Sequence, residues 1–192
     1  MFPLVADLRG RRVVVIGAVR VGVEKASTLL DCGALVTMIS EQVLAPLPKG
    51  LDRLLIRPYE PGDLDGALLV VAATANATAN DKIVQEANER GVLVNVVDDL
   101  ARSNFYFTAN YRDGDVLVSV STAGASPALA QWVRDRVAGA LPKNLAHVAR
   151  ELRRERSQLH DEGESTERRA WAQRVVELVE ETGDVEGSRP RA

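Results

Sequence analysis

This 192-residue sequence predicts an α/β protein: a doubly wound parallel sheet, followed by a small β-hairpin with a helix, and then a helical C-terminal tail. Three features carry that prediction. Residues Val13–Gly22 read VVVIGAVRVG, an apolar strand running into a glycine-spaced turn. Strand and helix signals alternate through the first hundred residues, as they do in sheets of parallel strands joined by crossover helices. Beyond residue 104 two strand-like runs flank Asp113-Gly114, a strong hairpin signal, and a helix start follows at Ser126-Pro127.

The elements follow in order. Val13–Ile16 is a continuous β-branched run, as expected of a strand covered on both faces. Val21–Asp31 reads as a helix with apolar Val21, Val23, Ala26, Leu29 and Leu30, and Gly33 stops it. Cys32, just before that glycine, reads as a buried and inert thiol. Leu35–Ile39 is the second strand. A loop with Pro46 and Pro48 leads to a short third strand, Leu54–Ile56. Leu68–Ala72 is the fourth and runs into the small-residue stretch AATANAT. Asn80–Arg90 is helical up to Gly91, and Val92–Val97 is the fifth strand. In a Rossmann-like sheet of this kind the crossovers are right-handed, and ligands sit beyond the carboxyl ends of the strands. One rim therefore gathers Gly17–Arg20, Ser40–Glu41, Ala73–Asn76 and Asp98.

The second half has a different character. Phe105–Tyr111 and Val116–Val120 form the hairpin around Arg112–Asp115. Ser126 is a good N-cap and Pro127 suits the first helical position. That helix carries Leu129, Trp132, Val133, Arg136 and Val137 on neighbouring faces. Two amphipathic helices follow Lys143, one striped by Leu145, Val148, Leu152 and Leu159, the other by Trp171, Val175, Leu178 and Val179. Asp161–Glu164 separates them. The expected boundaries are 1–104 for the dinucleotide-type domain, 105–142 for a hairpin-and-helix region serving dimerisation and substrate, 143–183 for the helices, and 184–192 for a frayed tail. A hairpin with a helical tail does not complete a second nucleotide-binding half, so it is expected to pair with a copy of itself in a homodimer.

Composition narrows the function classes. A net charge of −3 supplies no basic field for nucleic acid. A single cysteine excludes an internal disulfide and a cysteine-cluster metal site. No apolar run approaches the roughly 18 residues a membrane span needs. The start, MFPLVADLRGRR, is charged too early for a signal peptide, so the cytoplasm is the default expectation. His147 and His160 lie on charged helical segments and read as solvated surface residues, and the sequence points to no metal ligands. The alternating signs of Arg150–Arg156 read as a solvated helix face.

The chemistry-bearing groups begin with the glycine turn. Gly17 and Gly22 hold the first and third positions of G-x-G-x-x-G, and Val19 replaces the middle glycine that lets a pyrophosphate approach the backbone. Gly17, Ala18, Val19, Arg20 and Val21 are the candidate phosphate contacts, with Ala73 and Thr74 on the neighbouring strand end. A turn that merely needs Gly17 for its geometry reads the same way. Glu41 lies near the place of the acidic residue that bonds ribose hydroxyls, although Ser40 could occupy it instead. No arginine or lysine lies within Ile39–Leu44, which favours NAD over NADP, while Arg20 could still reach a phosphate from the turn. Asp98 ends an apolar strand at the rim, where a carboxylate can act as a general base. On spacing alone, such a residue is more often part of a turn. The loop Ser121–Pro127 leaves backbone N–H groups and three hydroxyls free for an anion, or is simply a capped helix start.

In order and spacing, Gly17–Ala26, Val70–Asn80 (VVAATANATAN), Asn95–Asp98 (NVVD) and Ser121–Pro127 together resemble the precorrin-2 dehydrogenase family. Its members form the N-terminal module of siroheme synthase or stand alone. The resemblance covers roughly residues 1–140. It implies oxidation of precorrin-2 to sirohydrochlorin with NAD as acceptor, and in some members insertion of ferrous iron. It puts the family's important aspartate on Asp98, and it implies that Asn95, Arg102, Ser121, Thr122, Gly124 and Ser126 meet the carboxylates of a tetrapyrrole. Three departures stand out: Ala18 and Val19 replace glycines of the turn, Thr122-Ala123 stands where members often carry serine and glycine, and Thr108 replaces a proline. Because of Val19, two other readings stay open. One is a chelatase with little or no NAD binding, and the other is a non-catalytic tetrapyrrole-binding partner.

Overall fold

The structure, a computed structural model, describes residues 1–181. The frayed tail expected for residues 184–192 lies outside them. The chain divides into two compact units, Met1–Tyr106 and a second from Phe107 onward.

The first unit is a five-stranded parallel sheet in the order β3-β2-β1-β4-β5. Its strands are β1 (Arg12–Ala18), β2 (Leu35–Val43), β3 (Arg53–Leu55), β4 (Leu69–Ala72) and β5 (Leu93–Val96). Helix α1 (Arg20–Asp31) joins β1 to β2, and α2 (Ala77–Arg90) joins β4 to β5. The strand order reverses between β1 and β4, which makes the crevice above that pair the expected ligand position. Val13–Ile16 is buried on both faces, as its unbroken β-branched run requires. Val14 and Ile16 pack with Val70, Ala72, Ile83 and Ala87 under α2. Each buried valine or isoleucine among them contributes about 1.5–3 kcal/mol by leaving water. The opposite face is covered by α1, which buries Gly22, Ala26 and Leu29.

No helix connects β3 to β4. The intervening turns plug Leu64 fully into the core. Arg12 fixes them by donating to the backbone carbonyls of Asp63, at 2.9 Å, and Asp65.

The second unit pairs β6 (Ala109–Asp113) with β7 (Val116–Val120) in an antiparallel hairpin across Gly114, which has φ +57°. Helix α3 (Pro127–Ala140) packs on it through the side that buries Ala130, leaving Trp132 58% exposed. Helix α4 (Leu145–Asp161) docks its first turn against the hairpin: the Ala146 N–H donates to Asp113 at 3.0 Å. Helix α5 (Trp171–Glu181) returns along α4. Glu155 ties the two, accepting from Arg174 at 2.9 Å and from Arg169 at 2.6 Å.

Four local expectations are corrected. Cys32 is exposed, because it is the C-cap of α1 and lies beyond Leu29, the last buried position on that helix. His147 is half-buried, because the docked first turn of α4 shields it. Strand β2 runs four residues past Ile39 through a bulge that sets Ala18 opposite Val43. Finally, Phe105–Thr108 is irregular and pairing starts at Ala109, since Asn104 and Phe105 instead bond back to β5.

Candidate functional site

The carboxyl ends of β1, β2, β3 and β4 surround an open cleft of about 280 Å³ in the first unit. Gly17, Val19, Ser40, Glu41, Ala73 and Thr74, all expected from the sequence, line it.

The glycine turn is shaped by internal packing. Gly17 has φ +105°, and a Cβ there would stand 2.2 Å from the Ala73 carbonyl oxygen. At Gly22 a Cβ would stand 2.0 Å from the Gly17 carbonyl oxygen. Both glycines are therefore demanded by the contact of α1 with the strand ends, with or without a ligand. Ala18 is fully buried and has no backbone group to offer. Its N–H donates to Ser40 Oγ at 2.9 Å, and its carbonyl accepts the Leu44 N–H at 3.0 Å. Ser40 in turn donates to the Gln42 carbonyl at 2.7 Å. Ser40 thus fastens the turn to the bulge of β2, and Glu41 is left exposed on the cleft wall.

Val19 is the N-cap of α1, at φ −84° and ψ 167°, with no side-chain cap. An extended backbone suits valine, so the substitution strains no backbone dihedral. It does put a branched side chain, 36% exposed, on the cleft wall. The N–H groups of Arg20, Val21 and Gly22 open α1 and have no partner within the helix. The Arg20 side chain points into solvent and pairs with Glu24 at 3.0 Å.

Four cleft residues had no strong sequence signal. Gln42 comes from the bulge of β2, while Arg57, Pro58 and Tyr59 follow β3. The third strand's carboxyl end belonged on the rim by topology, and counting it there would have found Arg57, Pro58 and Tyr59. The Tyr59 hydroxyl donates to Glu86, and burial together with that carboxylate pushes the phenol's pKa far up. Arg57 forms a two-point pair with Asp63, at 2.8 and 2.6 Å.

Asp98 sits apart from the lining of this cleft, exposed in the turn Val96–Asp99 with φ +60°. Aspartate tolerates that conformation better than most residues. Its charge acts on Lys25 of α1, whose pKa burial lowers while Glu24 and Asp98 pull it back up. Around it, Asn95 donates to the Phe105 carbonyl at 3.1 Å. Arg102 pairs with Asp81 at 2.9 Å and Asp99 at 3.3 Å.

In the second unit, the loop before α3 is organised by its own hydroxyls. Ser126 Oγ caps α3 by accepting the Leu129 N–H at 3.2 Å. Thr122 Oγ1 accepts the Ser126 N–H and donates to the Ser126 carbonyl. Ser121 Oγ accepts the Ala123 N–H. Ala123 and Gly124 both take positive φ, +55° and +83°. Among the described residues there is no cluster of His, Cys, Asp or Glu suited to a metal, and no helix long and apolar enough to cross a membrane.

Residues 4–109 match the family model described as putative NAD(P)-binding, and residues 113–140 match the one described as sirohaem biosynthesis protein central. Siroheme synthase 2 of Aeromonas salmonicida is 38% identical over 145 residues, which are 74% of this chain and 30% of that protein. Siroheme synthase of Photorhabdus laumondii is 34% identical over 152 residues, 77% of this chain and 32% of that protein. The chain thus spans about a third of the length of the curated relatives it matches. Among solved structures, SirC, a precorrin-2 dehydrogenase, shares the fold with a TM-score of 0.69 at 24% identity, covering 96% of this chain and 90% of that one. NAD, expected from the glycine turn, agrees with the family model and with the cleft. The chain belongs to the family described as putative NAD(P)-binding, and residues 113–140 add the match to the sirohaem biosynthesis protein central model.

Proposed function

We propose that this chain oxidises precorrin-2 to sirohydrochlorin with NAD, and not NADP, as the acceptor. The observation that carries the reading is the cleft itself. It lies where the strand order reverses, with the open amino end of α1 on one side and the Glu41 carboxylate on the other. Those two groups suit the pyrophosphate and the ribose hydroxyls of a dinucleotide. Bound NAD would supply the hydride acceptor.

The substrate loses one hydride and one proton, and the chain's own residues must take the proton and hold the macrocycle. Asp98, an exposed carboxylate just beyond the carboxyl end of β5, is the base in this reading. Its turn leaves it exposed to solvent and directed away from the core. Ser121, Thr122, Gly124 and Ser126 are the recognition loop for substrate carboxylates. Arg102 can trade one of its two acidic partners for a third carboxylate. Asn95 acts by holding Phe105 against β5. In this reading residues 105–142 also supply the homodimer contact, and the protein works in the cytoplasm.

One observation favours a second reading. Val19 narrows the approach to the amino end of α1, and metal insertion into sirohydrochlorin needs no nucleotide. In that case Asp98 would draw protons from pyrrole nitrogens and ferrous iron would be a substrate. A carrier without catalysis is the third alternative.

Purified chain mixed with precorrin-2 and NAD separates them. NADH formation supports the dehydrogenase. Iron-dependent siroheme formation from sirohydrochlorin without NADH formation supports the chelatase, and tetrapyrrole binding with neither supports the carrier.

A further inference from the structure

Among the residues lining the cleft, Arg57 is the one cation. It follows β3, next to the end of β2, and so lies on the side where the fold places the adenosine half of a dinucleotide. An arginine there is the usual partner of a ribose 2′-phosphate. Here it is occupied. Asp63 accepts from both terminal nitrogens of the guanidinium, at 2.8 and 2.6 Å. The Pro58 carbonyl takes a further bond at 2.9 Å, and Glu60 stands 3.6 Å away. The Asp63 side chain is only 10% exposed and also accepts the Glu60 N–H at 2.8 Å, so it cannot swing aside. The neighbouring Tyr59 is fastened as firmly through Glu86, which also accepts the Gly62 N–H at 3.0 Å.

We propose that Asp63 sets the cofactor choice of this cleft, holding the Arg57 guanidinium in a two-point ion pair so that no free cation meets a ribose 2′-phosphate. This rests on the cleft being a dinucleotide site. With Arg57 neutralised, the unpaired charge on that wall is Glu41, which accepts from ribose hydroxyls and repels a phosphate. Bidentate pairing of this kind has a geometry that lysine or a monodentate partner would not reproduce. The two halves of the device, Arg57 and Asp63, lie six residues apart in an aperiodic loop, and no glycine-turn motif contains them.

The test is calorimetric titration of the purified chain with NAD, NADP, adenosine 5′-phosphate and adenosine 2′-phosphate, with no turnover involved. The natural chain is expected to bind NAD at least about tenfold tighter than NADP. Asp63→Asn keeps the side-chain shape and an acceptor for the Glu60 N–H. It should narrow the NAD-to-NADP ratio by about tenfold, with a matching gain for adenosine 2′-phosphate. The double variant Asp63→Asn with Arg57→Leu should restore the original ratio. Arg57→Leu alone leaves the Asp63 carboxylate without its partner and should not tighten NADP. The double variant, in which both charges are gone, tests the proposal even if Asp63→Asn alone fails to fold. A tenfold loss of NADP binding in the double variant relative to the natural chain, or an unchanged ratio in Asp63→Asn while the natural chain binds NAD, overturns the proposal alone. A natural chain that binds neither dinucleotide overturns the cofactor reading beneath it.

Discussion

Ser40 Oγ accepts the N–H of Ala18 at 2.9 Å and donates to the Gln42 carbonyl at 2.7 Å, so one hydroxyl couples the glycine turn to the bulge of β2. Ala18 is fully buried, and no water can replace that partner. Ser40→Ala should therefore cost about 1–3 kcal/mol, the penalty of an orphaned buried donor. It should also weaken NAD binding by letting the two walls of the cleft drift. Urea denaturation and calorimetry measure both effects. A variant as stable as the natural chain would mean that the turn holds its shape without the clamp.

Val19 offers a separable pair of outcomes. Valine is a poor N-cap, and α1 has no side-chain cap. Val19→Ser should raise stability by about 1 kcal/mol. Val19→Gly should tighten NAD by about tenfold to thirtyfold, roughly 2 kcal/mol at the upper end, by opening the approach to the α1 amides. Thermal denaturation reads the first and calorimetry the second. If Val19→Gly leaves affinity unchanged, the cofactor does not cross this turn as proposed.

Asp98→Asn removes the charge while retaining a residue that accepts φ +60°. Precorrin-2 oxidation should fall by about a hundredfold or more, with NAD affinity and melting temperature unchanged. Steady-state kinetics beside a binding isotherm checks the split. Full activity in the variant would remove Asp98 from the chemistry.

The Arg57–Asp63 pair has a pH signature. Burial raises the Asp63 pKa, but the Arg57 guanidinium and the Glu60 N–H outweigh it, leaving the carboxyl below its ordinary 3.8. A carboxyl lowered in the folded state stabilises fully above its unfolded value, and that contribution is lost as pH falls through the folded one. The stability gap between the natural chain and Asp63→Asn should stay constant above about pH 5 and shrink below about pH 4. Denaturation across that range checks it, and a gap that widens on acidification contradicts it.

What the sequence made legible was local. The unbroken run Val13–Ile16, the left-handed stop at Gly91 (φ +68°) and the Ser126 cap each reveal their structure within a few residues, and each is observed. The same holds for the two glycines of the turn. The rest depended on distant partners. Arg57 becomes a cleft residue only because β3 is three residues long and stops beside β2, and it is neutralised by a loop with no helical or strand period. The two anchors of that wall, Asp63 for Arg57 and Glu86 for Tyr59 and Gly62, come from different stretches of chain. The loss of Ala18 as a phosphate contact was equally hidden, since Ser40 lies 22 residues away. Cys32 misled because the helical pattern does not reveal that Leu29 is the last position of α1 to be buried.

The most direct measurement is titration of NAD into the purified chain, followed by calorimetry. Saturable binding of one NAD per chain, at micromolar to sub-millimolar affinity and weakened by Ser40→Ala, is the predicted result. No heat of binding at millimolar NAD would contradict the central claim that the cleft beside Gly17 and Glu41 is a working cofactor site.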